Sequence, residues 1–483
     1  MATHNVSLWM LFEFEKEPDM SAILIKNGLL INDRTSSNAD LLIEDGRISK
    51  VEASLDVSSC PVGTRVVDAS GLVVMPGLID AHTHYHLVSR GTVTCDSFEQ
   101  GSRLAAFGGV TTVVDFADHN KGMGLVDSAN YRLDEMRPGM AIDYTIHQGV
   151  YGHGYDNTIG KQLEDLKKMG IKTLKIFTTY RNTGYLIENR DDLLDLFKNA
   201  KKLGLMVCAH CEFNPMIEEL SDNWTGDFSP ASHAKLRPAQ AEGKAIDLFG
   251  GIALEAGCPL YVVHVSSKCG LDAVRRLRKK GLEVYVETTP HYLFLDRSKL
   301  EGPDASLYVM TPPLRDRADN KALQDAVVDG EVQVIATDHC AFTREQKLSS
   351  SDCRTIYPGI PGTEEMFTLL NTFRVETNGD AGKEVLPYTK LVELMSTNPA
   401  KLFGLYPNKG SFEIGTDADI VLFDPSVKWT LDDSNVHSAS LYTPYRGFDV
   451  QGRAVMTILR GKVIMEDGEY YGVPGEGRFL RQC

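Results

Sequence analysis

The chain has 483 residues, of which 42% are hydrophobic and 24% are charged. This composition is typical of a globular enzyme and supplies enough apolar side chains for a large core and more than one domain. The formal net charge of −16 argues against nucleic acid or an anionic membrane surface as the main partner. No apolar run has the length of a membrane span, and the nine scattered cysteines are interpreted as free thiols, so we predict a cytoplasmic protein.

Short β-rich segments joined by tight-turn dipeptides occur near both ends of the chain. Residues 20–72 contain Asp45-Gly46, and residues 405–470 contain Asp467-Gly468. Such turns connect short antiparallel strands. We therefore predict that 20–72 and 405–470 pair into one small β-sandwich domain. Residues 1–19 lack the basic leader of a signal peptide and are predicted to be a disordered extension.

The middle of the chain, residues 73–404, alternates apolar β runs with helix-length segments. Eight such runs favour a (β/α)8 TIM-type barrel over an open sheet. The predicted strands are 73–79, 110–115, 143–148, 172–177, 205–209, 260–264, 283–287 and 332–337. The predicted helices are 97–107, 159–169, 190–203, 238–256, 269–280 and 319–329. No glycine-rich nucleotide motif opens any of these helices, so no nucleotide cofactor is expected.

Metal-binding side chains follow several of these strands, at the end of a barrel where catalytic groups lie. His82 and His84 are two residues apart, so in extended backbone both imidazoles point to one face. Alone, this pair is also compatible with a surface turn. The pattern becomes specific because equivalent positions carry further candidates, namely Lys175, His210, His264 and Asp338. Nitrogen and carboxylate ligands suit Zn²⁺, and their number exceeds the usual three of one catalytic ion, so we predict two metal ions.

Lys175 is the unusual member of this set because it lies in the apolar segment 172–177. Burial disfavours the charged form of a lysine, and two nearby cations would disfavour it further. One interpretation is a lysine that extends its ammonium group to water. The other is carboxylation by CO₂, which would give an anion with one oxygen for each metal ion. The sequence alone leaves both open.

Seven segments carry a more specific pattern: 77–84, 175–180, 287–293, 311–315, 337–340, 396–404 and 415–421. Together they resemble the cyclic amidohydrolases, and within these the dihydropyrimidinase and hydantoinase branch. The resemblance extends from about Ala22 to the C-terminus. It implies hydrolysis of the cyclic amide bond of 5,6-dihydropyrimidines or 5-substituted hydantoins to N-carbamoyl amino acids.

The resemblance also implies a site for two zinc ions per subunit, bridged by N6-carboxylated Lys175. The implied ligands are His82, His84 and Asp338 for one ion and His210 and His264 for the other. A hydroxide between the ions would attack the ring carbonyl, while Asp338 would transfer the proton to the departing nitrogen.

Substrate contacts are implied for Tyr180 and for the backbone of Thr311 and Pro358, with Tyr180 stabilising the oxyanion. Thr311 stands where the branch usually has serine. Tyr357-Pro358-Gly359 stands where the branch commonly has Pro-Asn-Gly, which leaves the range of substrates open.

Three alternatives were weighed against this function. Allantoinase stays open, because allantoin is itself a substituted hydantoin. Dihydroorotase is disfavoured by His86, which occupies the position where relatives place an arginine, and by the presence of Tyr180. A non-catalytic scaffold is disfavoured because all six ligand positions are intact.

The resemblance implies a homotetramer or homodimer that acts on a small cyclic ureide. The tail 471–483 has too few apolar residues to pack alone, so we expect it to reach a neighbouring protomer. The remaining histidines share no spacing and are interpreted as hydrogen-bonded or loop residues, with His339 supporting Asp338 from behind.

Overall fold

The computed structural model describes residues 22–375 and 384–483. The predicted disordered extension, residues 1–19, lies outside these ranges. Two large β-sheets organise the described chain, one built from both chain ends and one from the middle. No helix in the described part is long and apolar enough to cross a membrane. All nine cysteines are free thiols, as predicted.

The strands, in chain order, are β1 (Ala22–Ile31), β2 (Ser36–Glu44), β3 (Arg47–Glu52), β4 (Arg65–Asp68), β5 (Val73–Pro76), β6 (Leu78–Thr83), β7 (Val88–Ser89), β8 (Thr92–Val93), β9 (Val110–Ala117), β10 (Asp143–Gly149), β11 (Thr173–Phe177), β12 (Met206–His210), β13 (Leu260–Val262), β14 (Val284–Thr288), β15 (Val334–Ile335), β16 (Ile420–Thr430), β17 (Asp449–Leu459), β18 (Lys462–Glu466) and β19 (Glu469–Tyr470).

The α-helices are α1 (Phe98–Phe107), α2 (Leu125–Met136), α3 (Ile159–Met169), α4 (Arg190–Leu203), α5 (Asn214–Asp222), α6 (Pro230–Leu236), α7 (Ala239–Ala256), α8 (Lys268–Lys279), α9 (Pro290–Phe294), α10 (Arg317–Val328), α11 (Arg344–Leu348), α12 (Met366–Val375), α13 (Tyr388–Val392) and α14 (Asn398–Leu402). Short 3₁₀ turns occur at Val57–Ser59, Gly152–Gly154, Arg181–Thr183, Arg297–Leu300 and Ala305–Tyr308, and a π-helical turn at Glu393–Thr397.

The first sheet joins the two chain ends, in the strand order β19-β18-β17-β16-β5-β1-β2-β3, with β4 paired to β1. Strand β5 forms the link, because it pairs with β1 on one side and with β16 on the other. Apolar side chains from both ends share one core, including Ile23, Ile43, Ile420 and Ile458. The predicted small β domain built from both chain ends is therefore confirmed, and its strands form one continuous sheet.

The predicted strand 73–79 is wrong as a single element. Val73–Pro76 belongs to the terminal sheet, whereas Leu78–Thr83 opens the barrel. The break falls at Gly77, where a Cβ atom would overlap the side chain of Thr111. The sequence did not indicate that the chain changes sheet here, because the apolar run is nearly continuous across both strands.

The second sheet is the predicted barrel, with parallel strands in the order β15-β14-β13-β12-β11-β10-β9-β6. Its first and last strands meet through the hydrogen bond from His84 N to His339 O, at 2.8 Å. The barrel strands are buried on both faces, which explains their continuous apolar sequences. The (β/α)8 fold is confirmed.

Helix α2 was not predicted from the sequence. Its buried face carries Arg132, whose guanidinium pairs with Asp115 at 2.6 Å. A charged residue on the inward face interrupts the apolar stripe by which an amphipathic helix is recognised.

The C-terminal tail lies on its own chain, at the amino ends of the barrel strands. Tyr144 N donates to Arg478 O at 3.0 Å, and Leu480 N donates to Tyr144 O at 2.7 Å. Gln482 N donates to Gly170 O at 2.7 Å. The backbone of the tail thus pairs within its own chain, and the expectation that residues 471–483 reach a neighbouring protomer stays a prediction.

Candidate active site

The carboxyl ends of the barrel strands bring the six predicted metal ligands together around one cavity of about 510 Å³. The side chains come from β6, β11 and β12 and from the segments after β6, β13 and β15. They are His82, His84, Lys175, His210, His264 and Asp338.

Two groups of close contacts form within this set. Asp338 Oδ1 lies 3.1 Å from His82 Nε2 and 3.3 Å from His84 Nε2. His210 Nδ1 lies 3.0 Å from His264 Nε2. One ligand atom each from His82, His264 and Asp338 lies within 4.8 Å of the other two, so the two groups are adjacent.

Buried nitrogen atoms of these imidazoles lack a hydrogen bond. Within residues 22–375 and 384–483, His84 Nδ1 and His264 Nδ1 are buried without a partner, while His82 Nε2 lies beside the Asp338 carboxylate. Buried polar atoms are normally paired, so orphaned imidazole nitrogens around a carboxylate call for another ligand. Imidazole and carboxylate donors suit a divalent ion such as Zn²⁺. The residues present therefore fit a metal centre.

Two buried glutamates orient the imidazoles, and sequence reasoning assigned a role to neither. His82 Nδ1 donates to Glu287 Oε1 at 2.7 Å, and Glu287 also accepts from Tyr261 Oη at 2.8 Å. His210 Nε2 donates to Glu212 Oε2 at 2.8 Å. Each contact fixes which ring nitrogen carries the proton and leaves the other free for a ligand. Two features of the sequence could have indicated them: Glu287 lies near the end of a strand, and Glu212 lies two residues after His210.

Lys175 is only 1% exposed and is unpaired. Its Nζ lies 4.9 Å from the ring centre of Phe116 and 5.2 Å from that of Phe177. No carboxylate lies within ion-pair distance of this Nζ anywhere in the described chain. Burial lowers the pKa of Lys175, which favours the neutral amine. The interpretation that this lysine extends to solvent is wrong.

Three residues of the site have left-handed backbone conformations, with φ of 63° at Tyr180, 38° at His264 and 51° at Asp338. Non-glycine residues adopt this region at an energetic cost, and such strain is concentrated at functional sites. The barrel framework holds these residues in place, and their side chains turn into the cavity.

Tyr180, Thr311 and Pro358, the predicted substrate contacts, line the same cavity. Burial raises the pKa of Tyr180, so its hydroxyl keeps its proton at neutral pH and can donate a hydrogen bond. Within the described residues, neither the backbone N–H nor the C=O of Thr311 has a hydrogen-bond partner. The Pro358 carbonyl accepts a long hydrogen bond from Cys340 Sγ, at 3.9 Å.

Comparisons with known proteins agree with this geometry. The model of the Amidohydrolase family matches residues 73–464. The chain belongs to the amidohydrolase family. It is 35% identical to a D-hydantoinase of Ralstonia pickettii over 469 residues, which cover 95% of this chain and 98% of the relative. It is 34% identical to a D-phenylhydantoinase of Escherichia coli O1:K1 / APEC over 470 residues, covering 95% and 98%.

A crystal structure of dihydropyrimidinase from Brevibacillus agri NCHU1002 superimposes with a TM-score of 0.90 at 33% identity, covering 95% of this chain and 98% of that chain. The chain is thus a cyclic amidohydrolase of the dihydropyrimidinase and hydantoinase branch, which confirms the expected resemblance.

The cavity of this cyclic amidohydrolase has a second wall, built from the segments after β9, β10 and β11. Asp118 accepts a hydrogen bond from Tyr151 Oη at 2.6 Å, and Tyr151 stacks on Tyr185 with ring centres 4.2 Å apart. At the rim, Arg90 Nη1 donates to the carbonyl oxygens of Arg354 and Ile356 at 3.2 and 3.3 Å. Sequence reasoning identified none of these residues, because their loops carry no motif.

Five other histidines, His119, His147, His233, His339 and His437, make hydrogen bonds through their rings. His339 Nδ1 accepts from Gly362 N at 3.2 Å, which places the proton on Nε2, 3.0 Å from Asp96 Oδ2. This arrangement anchors the residue that follows Asp338. His147 contacts Thr173 Oγ1 at 2.7 Å, outside the metal-ligand set.

Proposed function

We propose that this cyclic amidohydrolase opens the ring of cyclic ureides, converting 5,6-dihydropyrimidines and 5-substituted hydantoins to N-carbamoyl amino acids. The observation that carries the proposal is the convergence of six metal-capable side chains with Tyr180 and with unpaired backbone groups on one cavity. Relatives named D-hydantoinase and dihydropyrimidinase support this class of substrate.

Two divalent ions such as Zn²⁺ fit the donor set. His82, His84 and Asp338 would hold one ion, His210 and His264 the other, and Lys175 would contact both after carboxylation. When bound, such ions supply a water molecule that is deprotonated at neutral pH and polarise the amide carbonyl.

Carboxylation of Lys175 is supported by its burial and by the absence of a counter-ion within the described residues. The lone pair of the neutral amine would attack the carbon of CO₂, a nitrogen–carbon bond would form, and one proton would be released. The product is an anion with two oxygen atoms. This change replaces an unpaired buried amine by an anion beside the imidazoles of the site.

Dihydropyrimidines and hydantoins both contain a –CO–NH–CO– edge. The N–H of Thr311 would donate to one carbonyl of that edge and the C=O of Pro358 would accept from its N–H, while Tyr180 Oη would donate to the carbonyl under attack. Water would add to the carbonyl carbon while the ring carbon–nitrogen bond breaks.

Asp338 would carry the proton from the attacking water to the departing ring nitrogen. Burial alone would raise the pKa of its carboxyl, but the adjacent imidazole of His82 holds that pKa well below the ordinary value. The carboxylate is therefore ionised and ready to accept a proton.

Product analysis tests the proposal. The holoenzyme is incubated with dihydrouracil and with 5-phenylhydantoin, with its metal content measured in parallel. We expect N-carbamoyl-β-alanine and N-carbamoyl-phenylglycine, about two divalent ions per chain, and loss of both metal and activity on chelation. An active enzyme without metal would contradict the metal centre, and a fully metallated enzyme that opens neither ring would contradict the substrate class.

A further inference from the structure

A fully buried lysine lies beneath the two segments that line the substrate side of the cavity. Lys347, in α11, has 0% exposure. Its Nζ donates to three main-chain carbonyl oxygens, those of Val309 at 2.6 Å, Tyr357 at 2.8 Å and Gly359 at 3.0 Å. An ammonium group has three donors, so this one is fully used.

The three acceptors belong to the two segments that are proposed to hydrogen-bond to the substrate ring. Val309 lies two residues before Thr311, and Tyr357 and Gly359 flank Pro358. The segments also contact each other directly, because Gly359 N donates to Val309 O at 3.0 Å. One ammonium group thus adds three hydrogen bonds at the place where these two loops meet.

These hydrogen bonds also constrain the Pro358 carbonyl. The carbonyls on either side of it, those of Tyr357 and Gly359, both accept from Lys347 Nζ. The Pro358 carbonyl instead lies 3.9 Å from Cys340 Sγ, and both residues line the cavity. Gly359 has φ of 144°, and a Cβ atom there would overlap the Cys340 carbonyl.

Holding a charge at this position has a cost in free energy. Within residues 22–375 and 384–483, no carboxylate lies within ion-pair distance of Lys347 Nζ. Burial lowers the pKa of Lys347 to about 7, so the proton is held there against desolvation. A methionine would fill similar space without that cost, but it would leave the Tyr357 and Gly359 carbonyls without this donor. The lysine therefore serves to fix the main chain of these two segments.

We propose that Lys347 is a positioning residue for substrate recognition, which holds the backbone groups of Thr311 and Pro358 at the spacing of the –CO–NH–CO– edge. The inference rests on the function proposed above. Because Lys347 touches neither the metal ligands nor Tyr180, its loss should weaken binding of the ring and leave the chemical step largely intact.

The test compares wild type with Lys347→Met on hydantoin. We expect KM to rise about tenfold or more and kcat to change less than about threefold, with metal content unchanged. The matched control is Lys167→Met, which removes a surface lysine whose Nζ donates to Leu203 O. This control should leave KM unchanged. A Lys347→Gln variant, which keeps two donors, should give an intermediate KM and serves if the methionine variant does not fold.

A second substrate separates positioning from general damage. 3-Methylhydantoin lacks the edge N–H that Pro358 would accept, so the kcat/KM loss in Lys347→Gln should be clearly smaller for it than for hydantoin. Equal losses for both substrates, or an unchanged KM for hydantoin, would overturn the role of Lys347 while the proposed function stands. If the wild-type enzyme opens no cyclic ureide, the proposed function is wrong, and the role of Lys347, which depends on it, is wrong as well.

Discussion

His82 Nδ1 lies 2.7 Å from Glu287 Oε1, and this contact turns the other ring nitrogen toward Asp338, whose Oδ1 is 3.1 Å from His82 Nε2. The same glutamate accepts from the backbone N–H of His264 at 2.9 Å. One buried carboxylate therefore organises histidines from both groups of the proposed metal centre.

Replacing this carboxylate by an amide should weaken metal binding. In Glu287→Gln, the acceptor for His82 Nδ1 is reduced to a neutral oxygen, so metal affinity should fall on the order of 10–100-fold. Competition with a chelator measures the change. Glu283→Gln, a substitution just before the same strand, is the control and should keep wild-type affinity. Equal affinity in both variants would show that Glu287 does not orient the ligands.

Lys175→Ala should remove the bridging anion of the proposed centre. We expect loss of metal and of turnover, with partial rescue by added short carboxylic acids, because these supply two oxygens in the vacated space. Lys172→Ala, at the opposite end of the same strand, is the control. Normal metal content and rate in Lys175→Ala would rule out the carboxylated lysine.

Tyr180→Phe should slow catalysis without affecting the metal centre. Loss of one preorganised oxyanion donor should reduce kcat on the order of 10²–10³-fold, with metal content unchanged. Because burial raises the pKa of Tyr180 above its ordinary value of 10.0, the wild-type rate should not fall through loss of this proton anywhere below that pH. A Phe variant with a wild-type kcat would remove Tyr180 from the mechanism.

His233 gives a prediction on stability. Burial lowers its pKa to about 3, and its Nε2 donates to Met310 O at 2.9 Å, so the folded protein keeps this imidazole neutral. The unfolded chain takes up a proton below about pH 6.5, so this group makes the folded state less stable as pH falls from 6.5 toward 3.

The slope from this one group approaches about 1.4 kcal/mol per pH unit. The free energy of unfolding of metal-free His233→Gln should accordingly decline less steeply between pH 6.5 and pH 5 than that of wild type. Denaturant titrations of both proteins at each pH measure the difference. Parallel curves would show that His233 titrates normally in the folded state.

The barrel and the terminal sheet were predictable because their signals are local. A strand such as β9, buried on both faces, reads as an apolar run, and a polar residue at its end marks the catalytic side. Helix α2 and the break at Gly77 were not predicted, because each depends on a contact with a residue outside the segment itself. Arg132 of α2 pairs with Asp115, and Gly77 packs against Thr111.

The proposed ligand set was predictable for the same reason, whereas the residues that support it were not. Lys347 stands in Arg344-Glu345-Gln346-Lys347, a stretch that indicates a solvent-exposed helix, and only packing against three carbonyls shows its burial. Glu212 lies two residues after a ligand, but its contact with His210 depends on backbone geometry. The homotetramer or homodimer and the cytoplasmic location stay predictions.

The most direct measurement is kcat/KM for dihydrouracil, 5-phenylhydantoin, allantoin and dihydroorotate under one set of conditions. His86, whose ring packs against Phe98 with ring centres 5.5 Å apart, occupies the position at which an arginine would pair the carboxylate of dihydroorotate. We predict that dihydrouracil and 5-phenylhydantoin are both hydrolysed and that dihydroorotate is on the order of a hundredfold poorer, because a buried charge would lack its partner. A preference for dihydroorotate or for allantoin would contradict the proposed substrate class.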